Sequence, residues 1–233
     1  MLSSALLRQV SVFGAGGNHG AMTDYGASNE GLQVRLATSA EDLDSVYKLR
    51  YQVYCVERGF EKKEDYPWRR ESDKYDPYSI HLLTTIGSIP VGTVRFIRPG
   101  NPWQFPIEEH CGISMGAISG GDRRVGEISR LAVSLEAIKG NPSKGDAITY
   151  ALIRRLFHTV SMHEPDVRYV FAAMSGGLQR RLRQCGADFM RAGAPVNYHG
   201  LRIPCYATME EIGRGMARHE LSREQMSYAL QYA

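Results

Sequence analysis

The period of the hydrophobic pattern changes several times along this chain, and each change predicts an element. Strand-like alternation covers 32–37, and from 39 to 57 apolar side chains recur at helical spacing, with Leu43, Val46, Tyr47, Val53 and Tyr54 on one face. Thr38 and Glu41 have the capping-box spacing that opens such a helix. Extended runs at 79–86 and 91–97 flank Gly87-Ser88, the turn of a hairpin. A further strand is predicted at 126–134, then a helix at 146–163 with Ile148, Leu152, Leu156 and Val160 on one side. An apolar strand at 167–174 and a helix at 177–185 follow, and 187–191 and 201–209 read as a last strand pair. Residues 209–233 read as a helical extension, and the Gly-rich, polar residues 1–31 as a flexible tail without a secretory signal. This order predicts one α+β domain over 32–208, an α/β/α sandwich on a mixed, twisted central sheet.

Four polar segments interrupt that pattern. Arg50 falls in the middle of the apolar stripe of the first helix. Either its side chain snorkels to water, or it is buried and needs a carboxylate. Glu71, Asp73 and Asp76 follow within a long loop, 58–78, whose aromatics Phe60, Tyr66, Trp68 and Tyr75 argue against disorder. Arg95 shares a strand face with Val91, Thr93 and Ile97. On the next strand, alternation puts Glu127, Ser129, Leu131 and Val133 on one side and Ile128, Arg130 and Ala132 on the other. Two charges and a hydroxyl opening an otherwise apolar strand mark the edge or split of a sheet, and the four segments are expected to meet in one cleft. Residues 99–122 are a Pro/Gly-rich excursion. Its His110-Cys111 pair is not expected to act as a nucleophile and base, because neighbours on a strand point to opposite faces.

Composition narrows the classes. With 43% hydrophobic and 23% charged residues, the 233-residue chain suits a single soluble domain with tails, and no apolar run has the length of a membrane span. The net charge of +3 is too small to imply nucleic acid, and nothing indicates membrane association. From Lys139 onward, however, thirteen Lys/Arg stand against eight Asp/Glu, so Lys144, Arg154, Arg155, Arg180, Arg181 and Arg183 are candidates to meet an acidic partner. Cys55, Cys111, Cys185 and Cys205 are scattered without a paired motif, which fits reduced thiols in a cytoplasmic protein and no metal site.

Arg50 with Tyr54, Glu71-x-Asp73-x-x-Asp76, Gly92-x-x-Arg95 and Glu127-x-Ser129-Arg130 resemble the acyl-homoserine-lactone (autoinducer) synthases and the long-chain N-acyl amino acid synthases, N-acyltransferases of the GNAT superfamily. The blocks VYCVERGFE (53–61), HLL (81–83), VGTVRFIRP (91–99), PIEEHC (106–111), GEISRLAVS (126–134) and YHGLRIPC (198–205) more closely resemble the acyltransferases associated with the PEP-CTERM/exosortase system. The likeness spans 32–208. It implies a GNAT-like acyl-CoA N-acyltransferase fold and transfer of a long fatty acyl group to the amine of an amino acid or similar small acceptor. No Q/RxxGxG/A loop for a CoA pyrophosphate follows the Glu127 strand, so the expected donor is an acyl carrier protein thioester, and no bound cofactor is expected.

In this reading Glu127 is the base, Ser129 and Arg130 orient the pantetheine arm, and Arg50, Arg95 and Arg130 pair with Glu71, Asp73 and Asp76 on the acceptor side. The acyl chain is expected against Met162, Phe171 and Met174, and the six basic residues face the carrier protein. Phe60 stands where lactone synthases carry an aromatic that is often Trp, and the acidic-loop spacing is not identical to theirs, which leaves the acceptor open. The competing readings are an acyl-homoserine-lactone synthase using S-adenosylmethionine and a non-catalytic lipid-binding module.

Overall fold

The computed structural model describes residues 31–231, with side chains described as far as Ser222, so the predicted tail over 1–30 lies outside the described residues. The chain opens with β1 (Leu32–Leu36) and α1 (Ala40–Tyr51). The cap is Ser39, one residue later than the spacing of Thr38 suggests: its hydroxyl accepts from the Asp42 backbone N–H at 3.0 Å. The helical run reaches residue 57 as expected, but it widens to a π-helix over Gln52–Glu57. The hairpin strands β2 (Ser79–Ile86) and β3 (Ile89–Ile97) follow the long loop. The excursion at 99–122 is not irregular throughout, because it folds into α2 (Pro106–Cys111) and the single turn α3 (Met115–Ile118). Pro106 suits a first helical turn, and Gly112 at φ 62° ends it.

Next come β4 (Val125–Val133), α4 (Pro142–His163), β5 (Tyr169–Met174), α5 (Gly176–Gln184), β6 (Met190–Arg191), β7 (Val196–Asn197), β8 (Leu201–Thr208) and α6 (Met209–Gln231). The sheet order is β1-β2-β3-β4-β5-β8-β6, with β7 paired to β8. All pairings are antiparallel except β4–β5. One face packs Val94, Phe96 and Ile128 against Ile148, Leu152 and Leu156 of α4, together with residues of α5 and α6. The other face meets α1 through Val46 and Leu49, the π-helical turn after it through Val53, and α2 through Ile107 and Cys111. Helices therefore cover both faces, the expected three layers.

Two departures from regular pairing shape the centre. The parallel strands β4 and β5 pair only through Val125–Glu127 and Tyr169–Phe171, so beyond Glu127 the sheet opens. On its other side β4 carries a β-bulge: Thr93 pairs with Ala132 but Arg95 with Ser129, which leaves one extra residue on β4, and Arg130 takes φ 51°. The bulge overturns the simple alternation. Leu131 and Val133 pack with Ile128 on the α4 side, while Ala132 joins the α1 side. Arg130 turns toward Ser129 and the α1 side instead of away from it.

Gly126, just before the opening, has no room for a side chain. A Cβ there would lie 2.2 Å from the Phe96 ring and 2.8 Å from the Ile97 carbonyl oxygen. Gly126→Ala is expected to cost about 1–3 kcal/mol as the strands move apart. Urea unfolding checks this, and a variant as stable as the parent would show that the contact yields freely.

Candidate active site

Arg50 reaches the α1 side of the sheet because helical phase points it inward with Val46 and Leu49, and it is fully buried. Arg95 reaches the same space from β3, also fully buried, and Arg130 arrives through the bulge. The loop supplies the counter-charges. Arg50 binds Glu71 through Nε and donates from Nη1 to Asp76 at 2.7 Å. Arg95 binds Asp73 and donates to Asp76 at 2.7 Å through Nη1, while its Nε donates to Ser129 Oγ at 3.0 Å. Arg130 donates to Glu71 at 3.1 Å and pairs with Asp73 at 3.2 Å. The buried branch of the Arg50 alternative therefore holds, and the six residues expected to pair do so. The 3-10 turn Asp76–Tyr78 and the bonds Asp73 N–H to Asp76 and Tyr75 N–H to Asp73 hold the carboxylates in place.

The charge states follow from these partners. Burial alone would raise the Asp76 carboxyl, but Arg50 and Arg95 outweigh it and hold it far below the usual range. Burial likewise opposes charge on Arg50, yet Glu71 and Asp76 keep that guanidinium above its ordinary value. His81, 3.3 Å from the Asp76 carbonyl, is lowered to about 4 by burial and is neutral.

Glu127 shares this face but stands outside the lattice. Its Oε2 accepts from the Ile107 backbone N–H at 3.0 Å. Burial pushes its carboxyl up to about 8, despite that bond and the pull of Arg95 and Arg130. The structure thus sets one carboxyl that is near neutral at physiological pH beside Asp73 and Asp76, whose carboxyls the arginines hold low.

Further residues complete the wall. Tyr54 Oη donates to the Leu131 carbonyl at 2.9 Å on the bulge, and the Arg130 guanidinium lies 5.7 Å from the centre of its ring. Glu61 pairs with Arg130 at 3.6 Å and with His199 at 3.4 Å. Tyr198 stacks on His110 at 4.2 Å and hydrogen-bonds with Arg130. Tyr54 was legible as the helical partner of Arg50, whereas Glu61, Tyr198 and the Ile107 N–H carried no signal beyond lying in notable blocks.

The predicted acyl-chain residues are not brought together. Met162 is 69% exposed, because it lies about 200° round the helix from Val160 and so faces water. Phe171 and Met174 are both buried but in different layers, Phe171 with α2 and Met174 on the α4 side, as alternation on a strand requires. His110 and Cys111 lie on α2, not on a strand: His110 is exposed and Cys111 is buried with its thiol raised by burial. The basic candidates divide. Arg154 pairs with Glu220 of α6 at 2.8 Å, Arg181 with Asp146 of α4 at 2.8 Å, and Arg183 with Asp188 at 2.9 Å. Arg155 is exposed, and Lys144 lies in the first turn of α4. Arg180, Arg183 and Arg191, with Asp188, line an open cleft of about 450 Å³ that runs along α5. Among the described residues no group of three or more His, Cys, Asp or Glu converges as metal ligands, and no helix is long and apolar enough to cross a membrane.

Known proteins with this architecture place the site in context. Residues 49–141, which contain every member of the charge lattice, match the acetyltransferase (GNAT) domain family. No curated protein matches the chain in sequence. FeeM, an N-acyl amino acid synthase from uncultured soil microbes, superposes with TM-score 0.62 at 14% identity, covering 82% of this chain and 97% of FeeM. BjaI, a CoA-dependent acyl-homoserine lactone synthase whose structure holds SAM and isopentyl-CoA, gives TM-score 0.60 at 18% identity over 81% of this chain and 89% of its own. The AHL synthase LasI gives 0.57 at 16% identity over 76% and 90%. The mixed sheet flanked by helices, opened between its two parallel strands, is the GNAT fold, and the stretch that matches the acetyltransferase (GNAT) domain family lies within it.

Proposed function

We propose that the chain is an N-acyltransferase that moves a long fatty acyl group from an acyl carrier protein thioester to the amine of an amino acid or similar small acceptor. The observation that carries this reading is the buried Glu127 carboxyl, set where the sheet opens and beside, but not within, the arginine–carboxylate lattice. A thioester is already activated. The acceptor must lose a proton, attack the carbonyl carbon, and let the sulfur leave.

Glu127 takes a proton from the acceptor ammonium, directly or through water, and the freed amine forms the new C–N bond. The tetrahedral oxyanion then collapses as the C–S bond breaks, the nitrogen gives its second proton to the departing thiolate, and Glu127 releases the first to solvent. A base whose pKa lies near the working pH contributes about 10²–10⁴-fold. Backbone N–H groups near Ser129–Leu131, where the bulge disturbs pairing, would hold the oxyanion. Ser129 and Arg130 brace Arg95 and Glu71 and would meet the pantetheine arm at the same edge. Lys144 in the first turn of α4 and Arg180 in the cleft along α5 offer positive charge to an acidic carrier protein.

The likeness to FeeM, and the resemblance of the sequence blocks to N-acyl amino acid synthases and PEP-CTERM/exosortase-associated acyltransferases, support this reading, and a carrier-protein donor implies a cytoplasmic reaction. Similarity to BjaI and LasI favours a second reading, lactone synthesis from S-adenosylmethionine. Mass spectrometry of lipids from expressing bacteria separates them: N-acyl amino acids are expected, lactones would replace the first reading with the second, and neither product would remove both.

Glu127→Gln is expected to lower acylation at least about 100-fold with the fold intact by circular dichroism. In the parent, kcat/KM should rise with pH and level off above about 8, as Glu127 loses its proton. Unaltered product from the Gln variant would take Glu127 out of the mechanism.

The same carboxyl makes a stability prediction. Its folded pKa is raised, so its contribution is fully present below its unfolded pKa and is lost as pH rises through about 8. The Tm of Glu127→Gln should therefore gain on the parent between about pH 5 and 8 and then run parallel to it. A constant difference across that window would mean that Glu127 is already ionised.

A further inference from the structure

The block YHGLRIPC forms the turn from β7 into β8, and the acyl-transfer reading leaves most of it without a role. His199 at φ 51° and Gly200 at φ 85° make the turn tight, and His199 lies against Phe60 and Glu61 at the start of the long loop. His199 lies 5.6 Å from Phe60, ring to ring. Arg202 follows on β8 with its guanidinium 5.5 Å from the centre of the same Phe60 ring.

Arg202 differs from the three lattice arginines in having no counter-charge. Among the described residues no carboxylate pairs with it, and its one hydrogen bond is from Nη1 to the Leu201 carbonyl at 3.3 Å. It is half-buried, and burial, with Arg58 adding to it, pushes its pKa below the ordinary arginine value. Carboxylates do the opposite to Arg50 and Arg130. Glu61, next to Phe60 in the chain, is turned to Arg130 and His199. A stacked, partly desolvated guanidinium whose fork lacks a carboxylate partner is a receptor for a planar anion.

We infer that Arg202, laid on Phe60, recognises the carboxylate of the acceptor amino acid. The inference rests on the acyl-transfer reading and makes the acceptor a zwitterion rather than a plain amine. The complementary charge is at hand: the Glu61 and Asp73 side chains, 22% and 21% exposed at the edge of the lattice, are the acidic groups an acceptor ammonium would meet. The two ends are joined by contact, since Phe60 touches His199, His199 meets Glu61, and Glu61 meets Arg130.

The test compares the twenty amino acids with their carboxamides as acceptors, using one acylated carrier protein, for the parent, Arg202→Gln and Arg202→Lys. A charge-assisted bond to a carboxylate corresponds to about 10–100-fold in binding, so the parent's preference for acid over carboxamide should fall by that factor in the Gln variant and partly return with Lys. An unchanged preference in the Gln variant overturns the inference. So does a rise in KM for the acylated carrier protein with the acid preference intact, which would assign Arg202 to the donor's phosphate. Saturation-transfer NMR of the same acids and carboxamides with the unacylated protein reads recognition without catalysis. Selective retention of acids, lost in Arg202→Gln, supports the inference even if no acceptor is acylated, in which case it is the acyl-transfer reading that fails. Equal retention of acids and carboxamides by the parent overturns it.

Discussion

The pairing of Arg50, Arg95 and Arg130 with Glu71, Asp73 and Asp76 is the interaction on which the centre of this protein depends. Taking a guanidinium out of water costs several kcal/mol, and only matched, hydrogen-bonded carboxylates offset it. Arg50 and Arg95 have no access to water, so each requires its partners. Those partners all come from one loop, while the arginines come from α1, β3 and β4. The lattice therefore fixes a loop of some twenty residues, which has little regular structure of its own, against three separate elements. Such a cluster adds less to net stability than an apolar core of the same volume would, but it allows one register for the loop where apolar packing would allow several.

The lattice also accounts for the irregularity of β4. In regular alternation Arg130 would face α4 and the apolar layer of Ile148 and Leu152, where no acid is available. The bulge at Arg130 turns it to the acidic side, at the cost of a left-handed backbone at a residue with a side chain. The same irregularity turns the Leu131 carbonyl to Tyr54 and ends the regular pairing of β4 near the point where it parts from β5. A strand edge left without a neighbour in the middle of a sheet invites an extended ligand to pair with it. The feature that satisfies the arginines thus lies at the place where a substrate arm can enter.

Much of this was legible in the chain. Arg50 in an apolar stripe, Arg95 among Val and Ile, and three acids in six residues each violate the local pattern, and a violation that persists in a folded protein needs a partner. Glu127 was legible for the same reason. The bulge was not, because period-two alternation assumes that it never slips, and nothing in GEISRLAVS shows the slip. Nor were α2 and α3, whose helices are too short to display a period. Met162 could have been placed better from the sequence: the series 148, 152, 156, 160 already excludes it from the buried stripe of α4. Phe171 and Met174, an odd number of residues apart on a strand, could likewise have been assigned to opposite faces.

The balance of charge inside the lattice bears on how an acceptor is held. Three cations matched by three anions at hydrogen-bonding distance present almost no net field to an approaching ion, so the lattice shapes the site without drawing a ligand into it. Attraction has to come from groups that the lattice leaves unmatched. On the acidic side this is Glu61, which lies outside the three matched pairs and is shared by Arg130 and His199, with the partly exposed edge of the matched Asp73 near it. On the basic side it is Arg202, whose aromatic support holds it in place without neutralising it. Glu127 fits the same division, because a carboxyl that is mostly protonated near neutral pH competes little with Glu61 and Asp73 for the ammonium, while its ionised fraction is the base that accepts the proton. Binding and proton transfer are thereby assigned to different acids, and the separation follows from which carboxyls the buried arginines reach and which one they do not.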